Sequence, residues 1–184
     1  MIRSDYLFDV DIEYDREKLL SEANRYLDSP SLWNYYTYAV TEKGNKNFVK
    51  WNYNEISNMA EIFFSRCFLS REKNEEICKV VSQFEDIFHM TDKDYRIAFL
   101  KFHRTLDWIH RDFNLSLCIP LSHDFESLRF YEEDEKNDYF YKCALLNNLT
   151  KKHRGISVEP DRISLRLMIK SKNYEECKRI YFSS

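Results

Sequence analysis

Residues 162–169 read Arg-Ile-Ser-Leu-Arg-Leu-Met-Ile, an alternation of polar and apolar side chains over most of the segment. Successive side chains of a β-strand point to opposite faces, so every second residue of such a segment shares a face. The apolar face carries Ile163, Leu165, Leu167 and Ile169, and the other face carries Arg162, Ser164 and Arg166. The segment therefore predicts a strand that presents guanidinium and hydroxyl groups on one side.

The same strand character extends back along the chain to residue 94. Runs of strand-forming residues alternate there with polar turns. The runs occupy residues 96–102, 115–121, 126–131 and 142–147. The second half of the chain is therefore predicted to be mainly antiparallel β-structure, with 162–169 as its last strand.

Helices are predicted mainly in the first half. Residues 7–14 alternate as in a half-buried strand, and Asp15 is suited to cap a helix from 16 to about 27. Apolar residues recur at helical spacing in 54–68 and again in 71–87. This spacing predicts two further helices.

Three shorter segments are interpreted from composition and spacing. Aromatic residues cluster in 33–38, which is typical of a strand, and residues 42–45 have the composition of a hairpin turn. Residues 171–181 carry apolar side chains at three-residue spacing, which predicts a short C-terminal helix. Together the elements predict the α+β class, with N-terminal helices packed on a β core.

Length and composition indicate a single domain. The chain has 184 residues, of which 43% are apolar and 32% charged, and no linker rich in Pro, Gly or Ser divides it. We expect one domain over residues 1–184. Its strand and helix part spans 1–93, a β core that holds the functional site spans 94–170, and a C-terminal segment spans 171–184.

Charge and cysteine content narrow the function classes. The formal net charge is -3 and no long basic tract occurs, which disfavours nucleic acid as a partner. No stretch resembles a signal sequence or a membrane span, so we expect a cytoplasmic protein without a membrane partner. The five cysteines lack CxxC spacing, which argues against a disulfide framework and against a thiolate zinc site.

A metal-binding pattern lies between the predicted strands. His110 and Asp112 are two positions apart, so a strand would direct both side chains to one side, where they can bind one metal ion. His153 follows the apolar run 143–146, where a buried strand could deliver a third ligand near its end. Two imidazoles and one carboxylate can occupy one face of a ferrous ion and leave the opposite positions open for a substrate acid and dioxygen.

Arg162 and Ser164 add an anion-binding pair. A guanidinium can bind a carboxylate in a bidentate manner, and a neighbouring hydroxyl can add a further hydrogen bond. The polar face of the last strand therefore suits a dicarboxylate co-substrate.

Taken in order, these residues resemble the 2-oxoglutarate- and Fe(II)-dependent oxygenases, whose double-stranded β-helix, or jelly roll, carries HxD, a distal His and, in many members, RxS. The resemblance covers roughly residues 96–169, with His153 43 positions after His110 and Arg162 nine positions after His153. It implies a jelly-roll core. It also implies that His110, Asp112 and His153 bind iron.

The same resemblance implies a co-substrate and a reaction. Arg162 and Ser164 would bind the far carboxylate of 2-oxoglutarate, while its near carboxylate and keto oxygen chelate the metal. Oxidative decarboxylation with dioxygen would then drive hydroxylation of an amino acid, a peptide side chain or another small metabolite. Asp112 argues against halogenation, because related halogenases have a small residue there. Met168 argues against base repair, whose enzymes usually carry a second Arg at that position.

Each of these residues also has an ordinary structural interpretation. His110 could be hydrogen-bonded to the backbone, and Asp112 could belong to a turn. His153 could lie in a solvated basic loop, and Arg162 could pair with a carboxylate at position 159 or 161. A non-catalytic alternative is a cupin-like or jelly-roll binding module that uses the same polar interior for ligand recognition.

Basic residues near the proposed site could attract an acidic substrate, although such residues are more often a solvated rim. They are Arg111, Arg129, Lys151, Lys152 and Arg154. The substrate is expected to be a small molecule or a peptide. The sequence predicts neither its identity nor the oligomeric state.

Overall fold

The computed structural model describes residues 4–27, 50–54, 59–64, 74–102, 109, 111–112, 114–132, 135–156 and 162–183. Three α-helices and ten β-strands lie in these ranges, and none of the three helices is long and apolar enough to cross a membrane.

The helices are α1 Arg16–Leu27, α2 Glu75–Phe88 and α3 Tyr174–Ser183. The strands are β1 Leu7–Asp9, β2 Lys50–Asn54, β3 Met59–Phe64, β4 Tyr95–Phe102, β5 Leu115–Pro120, β6 Glu126–Glu132, β7 Glu135–Tyr141, β8 Ala144–Leu146, β9 Lys152–Gly155 and β10 Arg162–Ile169.

All of the strands pair in an antiparallel manner and form two sheets. The large sheet has the order β1-β8-β5-β10-β4-β3-β2, and the small sheet has the order β7-β6-β9. β10 lies in the centre of the large sheet, between β4 and β5.

Both faces of the large sheet are covered. One face packs against the three helices in a core that includes Leu19, Phe84 and Leu165. The opposite face meets the small sheet, where Cys118 of β5 packs with Phe130 of β6. Because β10 is central, its apolar residues enter the helix-side core, and its alternate polar residues lie between the two sheets.

Many predicted elements are confirmed. β4, β5, β6 and β8 fall within or close to the predicted strand segments, and β10 has the predicted bounds. α1 begins directly after Asp15, whose Oδ1 accepts hydrogen bonds from the amides of Glu17 and Lys18 at 3.1 Å. The α+β class is confirmed. Closure of the two sheets into a double-stranded β-helix stays a prediction.

The helix predicted over 54–68 is wrong. Lys50–Asn54 and Met59–Phe64 instead form an antiparallel pair of strands, β2 and β3, and β3 also pairs with β4. A short apolar run fits a buried strand as well as a helix, and here the pairing with β4 decides between them. Tertiary pairing thus overrides the helical spacing.

Other departures are smaller. β1 ends at Asp9, well before the end of the alternating segment 7–14, and two strands, β7 and β9, lie in stretches that the sequence does not predict as strands. The C-terminal helix α3 runs to Ser183. The aromatic cluster at 33–38 and the turn at 42–45 lie outside the described residues.

Candidate metal and co-substrate site

Asp112 and His153 lie side by side. The distance from His153 Nε2 to Asp112 Oδ2 is 3.8 Å. His153 belongs to β9, opposite Phe130 on β6, and is only 3% exposed, so its interpretation as part of a solvated loop is wrong. The Asp112 amide donates a hydrogen bond to the Asn148 carbonyl at 2.9 Å, which ties the segment carrying the carboxylate to the turn before β9.

A contact at the far side of the His153 ring indicates which ring nitrogen carries the hydrogen. Nδ1 lies 3.2 Å from the carbonyl oxygen of Lys151, and because a carbonyl only accepts, Nδ1 carries the hydrogen in this contact. In the neutral ring, Nε2 then presents a lone pair on the side of the Asp112 carboxylate. A lone pair and a carboxylate oxygen at this separation favour a cation between them, and an outward hydrogen bond from the other ring nitrogen is usual for a metal-binding histidine.

The third predicted ligand, His110, lies outside the described residues. Among the residues that the structure describes, no third His, Cys, Asp or Glu joins Asp112 and His153 to form a metal-binding group. Two of the three predicted ligands thus lie together among the described residues, and metal binding by them stays a prediction.

Arg162 and Ser164 are buried on the face of β10 that meets the small sheet, with 4% and 0% exposure. Gly155 of β9 lies against the guanidinium, because a Cβ at this glycine would be 3.1 Å from Arg162 Nη2 and 3.2 Å from Nη1. Within the described part of the chain, the Ser164 hydroxyl has no hydrogen-bond partner. A buried hydroxyl with unused hydrogen-bonding capacity, on the same face as a buried guanidinium, is suited to an anionic ligand.

Two residues that the motif does not contain contact the proposed metal ligand. Arg166 lies four positions after Arg162 on the same strand face, and its Nη1 donates to Asp112 Oδ2 at 3.1 Å. Asn148 Nδ2 donates to the same oxygen. Strand alternation places Arg166 on the polar face, but no sequence signal connects it with Asp112. The contact gives the carboxylate a positive neighbour, which is an unusual feature for a metal ligand.

A second polar group lies near Arg166 between the sheets. Tyr141 donates its hydroxyl to Glu126 Oε2 at 2.8 Å, and Cys118 is close to both. Burial raises the pKa of the Cys118 thiol and raises that of Tyr141 well above its ordinary value, so both stay neutral at physiological pH. Among the described residues, the carboxyl groups near Arg166 are those of Asp112 and Glu126.

The donor set fits a ferrous ion with an organic acid beside it. Imidazole and carboxylate are donors that ferrous ions accept, and the buried guanidinium and hydroxyl suit a carboxylate group. Arg166 is the departure from this pattern, since its charge and that of a metal ion would act on the same oxygen of Asp112.

Solved structures of known proteins share this fold. A protein of Shewanella oneidensis assigned as an oxygenase has a TM-score of 0.57 and 11% identity, over 90% of this chain and 81% of that chain. A prolyl-4-hydroxylase of Pseudomonas putida has a TM-score of 0.52 and 12% identity, over 91% of this chain and 92% of that chain. The auxin-oxidising dioxygenase DAO1 of Arabidopsis thaliana, solved with 2-oxoglutarate, has a TM-score of 0.51 and 11% identity, over 86% of this chain and 80% of that chain.

These similarities define the class of fold to which the chain belongs. All three proteins are described as oxygenases, dioxygenases or hydroxylases, and at these identities the likeness shows the fold alone. No family model matches the sequence, and no curated protein matches it significantly.

Proposed function

We propose that this protein is an Fe(II)- and 2-oxoglutarate-dependent dioxygenase that hydroxylates an amino acid, a peptide side chain or another small metabolite. One observation carries the proposal: Asp112 Oδ2 and His153 Nε2 face each other at 3.8 Å, while Nδ1 of the same ring lies within hydrogen-bond distance of the Lys151 carbonyl. The buried pair Arg162 and Ser164 on β10 supports it, as does a fold that solved oxygenases share.

Each residue has a defined task in this proposal. Asp112 and His153, with His110, hold the ferrous ion, which supplies the redox chemistry with dioxygen when it is bound. Arg162 binds the far carboxylate of 2-oxoglutarate through two parallel hydrogen bonds, and Ser164 donates its hydroxyl hydrogen to the same group. Burial of this pair excludes water and so strengthens both interactions.

The overall reaction balances without further reactants. One molecule each of 2-oxoglutarate and dioxygen and one substrate C–H bond give succinate, carbon dioxide and a C–OH product. One oxygen atom enters succinate and the other enters the product.

Succinate formation tests the proposal. Purified protein with Fe(II) and 2-oxoglutarate in air is expected to release succinate, followed by NMR, and to stop when the iron is removed with a chelator. Candidate substrates that raise the rate of succinate release would identify the class of compound that is oxidised. Unchanged succinate release by Asp112→Ala would contradict the assignment.

Gly155 provides a test of the anion-binding pair. A valine there is expected to displace the Arg162 guanidinium, because even its Cβ would lie 3.1 Å from Nη2. We expect the Kd for 2-oxoglutarate, measured by calorimetry with Mn(II) in place of iron, to rise about tenfold, since overpacking forces neighbouring groups out of position. Gly155→Ala is expected to have a smaller effect. Unchanged affinity in the folded valine variant would exclude a close contact between position 155 and the binding guanidinium.

A non-catalytic binding module is the second candidate, and the contact between Arg166 and Asp112 favours it. A carboxylate that already accepts from Arg166 Nη1 at 3.1 Å and from Asn148 is satisfied without a metal ion. In such a module the interior between the sheets would bind an acid through Arg162 and Ser164 alone. Binding of 2-oxoglutarate that is independent of added metal, without succinate release, would favour this candidate.

Arg166 is expected to weaken metal binding in the wild-type protein. Replacing it with Met removes a positive charge from Asp112 Oδ2, so the Kd for Mn(II) is expected to fall about tenfold, a change of about 1.4 kcal/mol. Free Mn(II) can be followed by electron paramagnetic resonance, with Arg166→Lys as the variant that keeps the charge. A higher Kd in Arg166→Met would show instead that Arg166 orients the carboxylate for the metal.

A further inference from the structure

A pocket of about 440 Å³ next to β9 carries an excess of positive charge. It is lined by Arg111, Tyr131, Glu132, Thr150, Lys151 and Lys152. Three of these six residues are cations, and Glu132 is the only acid among them. Of the five basic residues that the sequence places near the site, three therefore line one pocket.

Glu132, the acid among the described lining residues, already has hydrogen-bond partners. Glu132 Oε1 accepts from Lys151 Nζ at 2.5 Å, and Glu132 Oε2 accepts from the hydroxyl of Tyr6. These hydrogen bonds, that from Lys151 first, lower the pKa of Glu132, so it is ionised at neutral pH and cancels the charge of Lys151.

Arg111 and Lys152 are the other two cations among the described lining residues. Within the described residues, no carboxylate forms an ion pair with either side chain. Arg129, another basic residue of the same region, differs in this respect, because it pairs with Asp138 at 2.5 Å. As far as the described residues show, the pocket thus has two positive charges outside any ion pair, in a protein whose formal net charge is -3.

The pocket adjoins the proposed metal site through the backbone. Arg111 directly precedes Asp112, and Lys152 directly precedes His153. Lys152 is exposed and His153 is buried, as expected for neighbours in a strand, whose side chains point to opposite faces. The Lys152 side chain and the His153 ring therefore lie on opposite faces of β9.

We propose that this pocket binds an oxyanion, a carboxylate or a phosphate, carried by the substrate at a position remote from the carbon that is oxidised. Arg111 suits bidentate binding of such a group and Lys152 adds a point charge, while Tyr131 brings a hydroxyl group to the same pocket. The Thr150 hydroxyl, in contrast, donates to Asn147 Oδ1. The role as a substrate subsite rests on the proposed function. The oxyanion binding itself requires neither metal nor 2-oxoglutarate.

Titration with two probes, inorganic phosphate and a triglutamate peptide, tests the proposal and separates the two sources of the anion. Amide NMR shifts are followed in the full chain, without metal. We expect saturable shifts at Thr150, Lys151 and Lys152 with at least one probe. The variant Arg111→Gln/Lys152→Gln is expected to raise the Kd at least about tenfold. The matched control Lys93→Gln/Lys142→Gln changes two exposed lysines outside the pocket and is expected to bind as the wild type does.

A second titration distinguishes this pocket from the co-substrate site. With the effective probe near saturation and Mn(II) present, the Kd for 2-oxoglutarate is expected to be unchanged, and Mn(II) binding is expected to be equal in the wild type and in the pocket variant. Competition between the probe and 2-oxoglutarate, or equal probe affinity in the pocket variant, would overturn the proposal. If the wild-type protein does not bind Mn(II), the proposed function is overturned, and the role of the pocket as a substrate subsite is overturned with it. The anion site itself would then still be supported by the first titration.

Discussion

Replacing Arg162 with Met is expected to weaken 2-oxoglutarate binding about a hundredfold while Mn(II) binding remains. Arg162 is 4% exposed, so the hydrogen bonds of its guanidinium to a carboxylate would form in a site largely without water. Two charge-assisted hydrogen bonds contribute about 3 kcal/mol together, which corresponds to a change of this size in the Kd. Calorimetry with Mn(II) in place of iron measures both affinities.

Matched variants separate the bidentate binding by the Arg162 guanidinium from a general effect of losing a positive charge. Arg162→Lys keeps the charge but loses bidentate geometry, so an intermediate affinity is expected. Arg179→Met removes an exposed arginine of α3 and is expected to leave the Kd unchanged. Wild-type affinity for 2-oxoglutarate in a folded Arg162→Met protein would remove Arg162 from the co-substrate site.

The second large effect, on the affinity for Mn(II), is expected from Asp112→Asn. The variant keeps the size of the side chain but loses the charged oxygen that faces His153 Nε2 at 3.8 Å. Removing a residue that is hydrogen-bonded to a metal ligand typically lowers the metal affinity about ten- to a hundredfold. Removing the charge of the ligand itself is therefore expected to raise the Kd for Mn(II) by at least about a hundredfold. Succinate release is expected to fall with it.

Stability has to be followed in this variant, because Arg166 loses its ionic partner. Removing one side of a largely buried pair is expected to cost about 1–3 kcal/mol in the free energy of unfolding. Thermal unfolding measures that cost, and His153→Gln gives a second variant in which the Arg166 contact persists. Asp92→Asn, in an exposed turn, is the control. Wild-type Mn(II) affinity in both Asp112→Asn and His153→Gln would place the metal elsewhere.

The sequence predicts the central strand well and the outer strands poorly. β10 alternates cleanly because its apolar face meets the helix-side core while its polar face meets the small sheet. β7, in contrast, is mostly polar, and three of the four residues in Lys152–Gly155 are basic. Both segments become strands because they pair with β6, and the pattern of residues within each segment does not predict that pairing.

The structure places Asp112 beside His153 and buries Arg162 and Ser164 on one strand face, while the binding roles of these residues stay predictions. Strand alternation accounts for the shared burial of Arg162 and Ser164, and the distal position of His153 depends on β9, which brings it opposite Phe130. No pattern in the sequence predicts the contacts of Asp112 with Arg166 and Asn148. They join residues 54 and 36 positions apart, and such a distance along the chain is bridged only by the fold.

In the proposed function, one segment of β10 serves both the co-substrate and the metal. Arg162 and Ser164 form the proposed anion-binding pair, and Arg166 contacts the proposed metal ligand Asp112 at 3.1 Å. These three side chains lie within five residues of the central strand. The affinities for Mn(II) and for 2-oxoglutarate would therefore depend on neighbouring residues of the same element.

Anomalous diffraction from crystals soaked with Mn(II) and 2-oxoglutarate would locate both the metal ion and the co-substrate. We expect one manganese peak between Asp112 and His153, with His110 as the third protein ligand and the far carboxylate of 2-oxoglutarate on Arg162 and Ser164. Manganese bound elsewhere, or 2-oxoglutarate bound without manganese while Arg166 stays on Asp112, would contradict the proposed function.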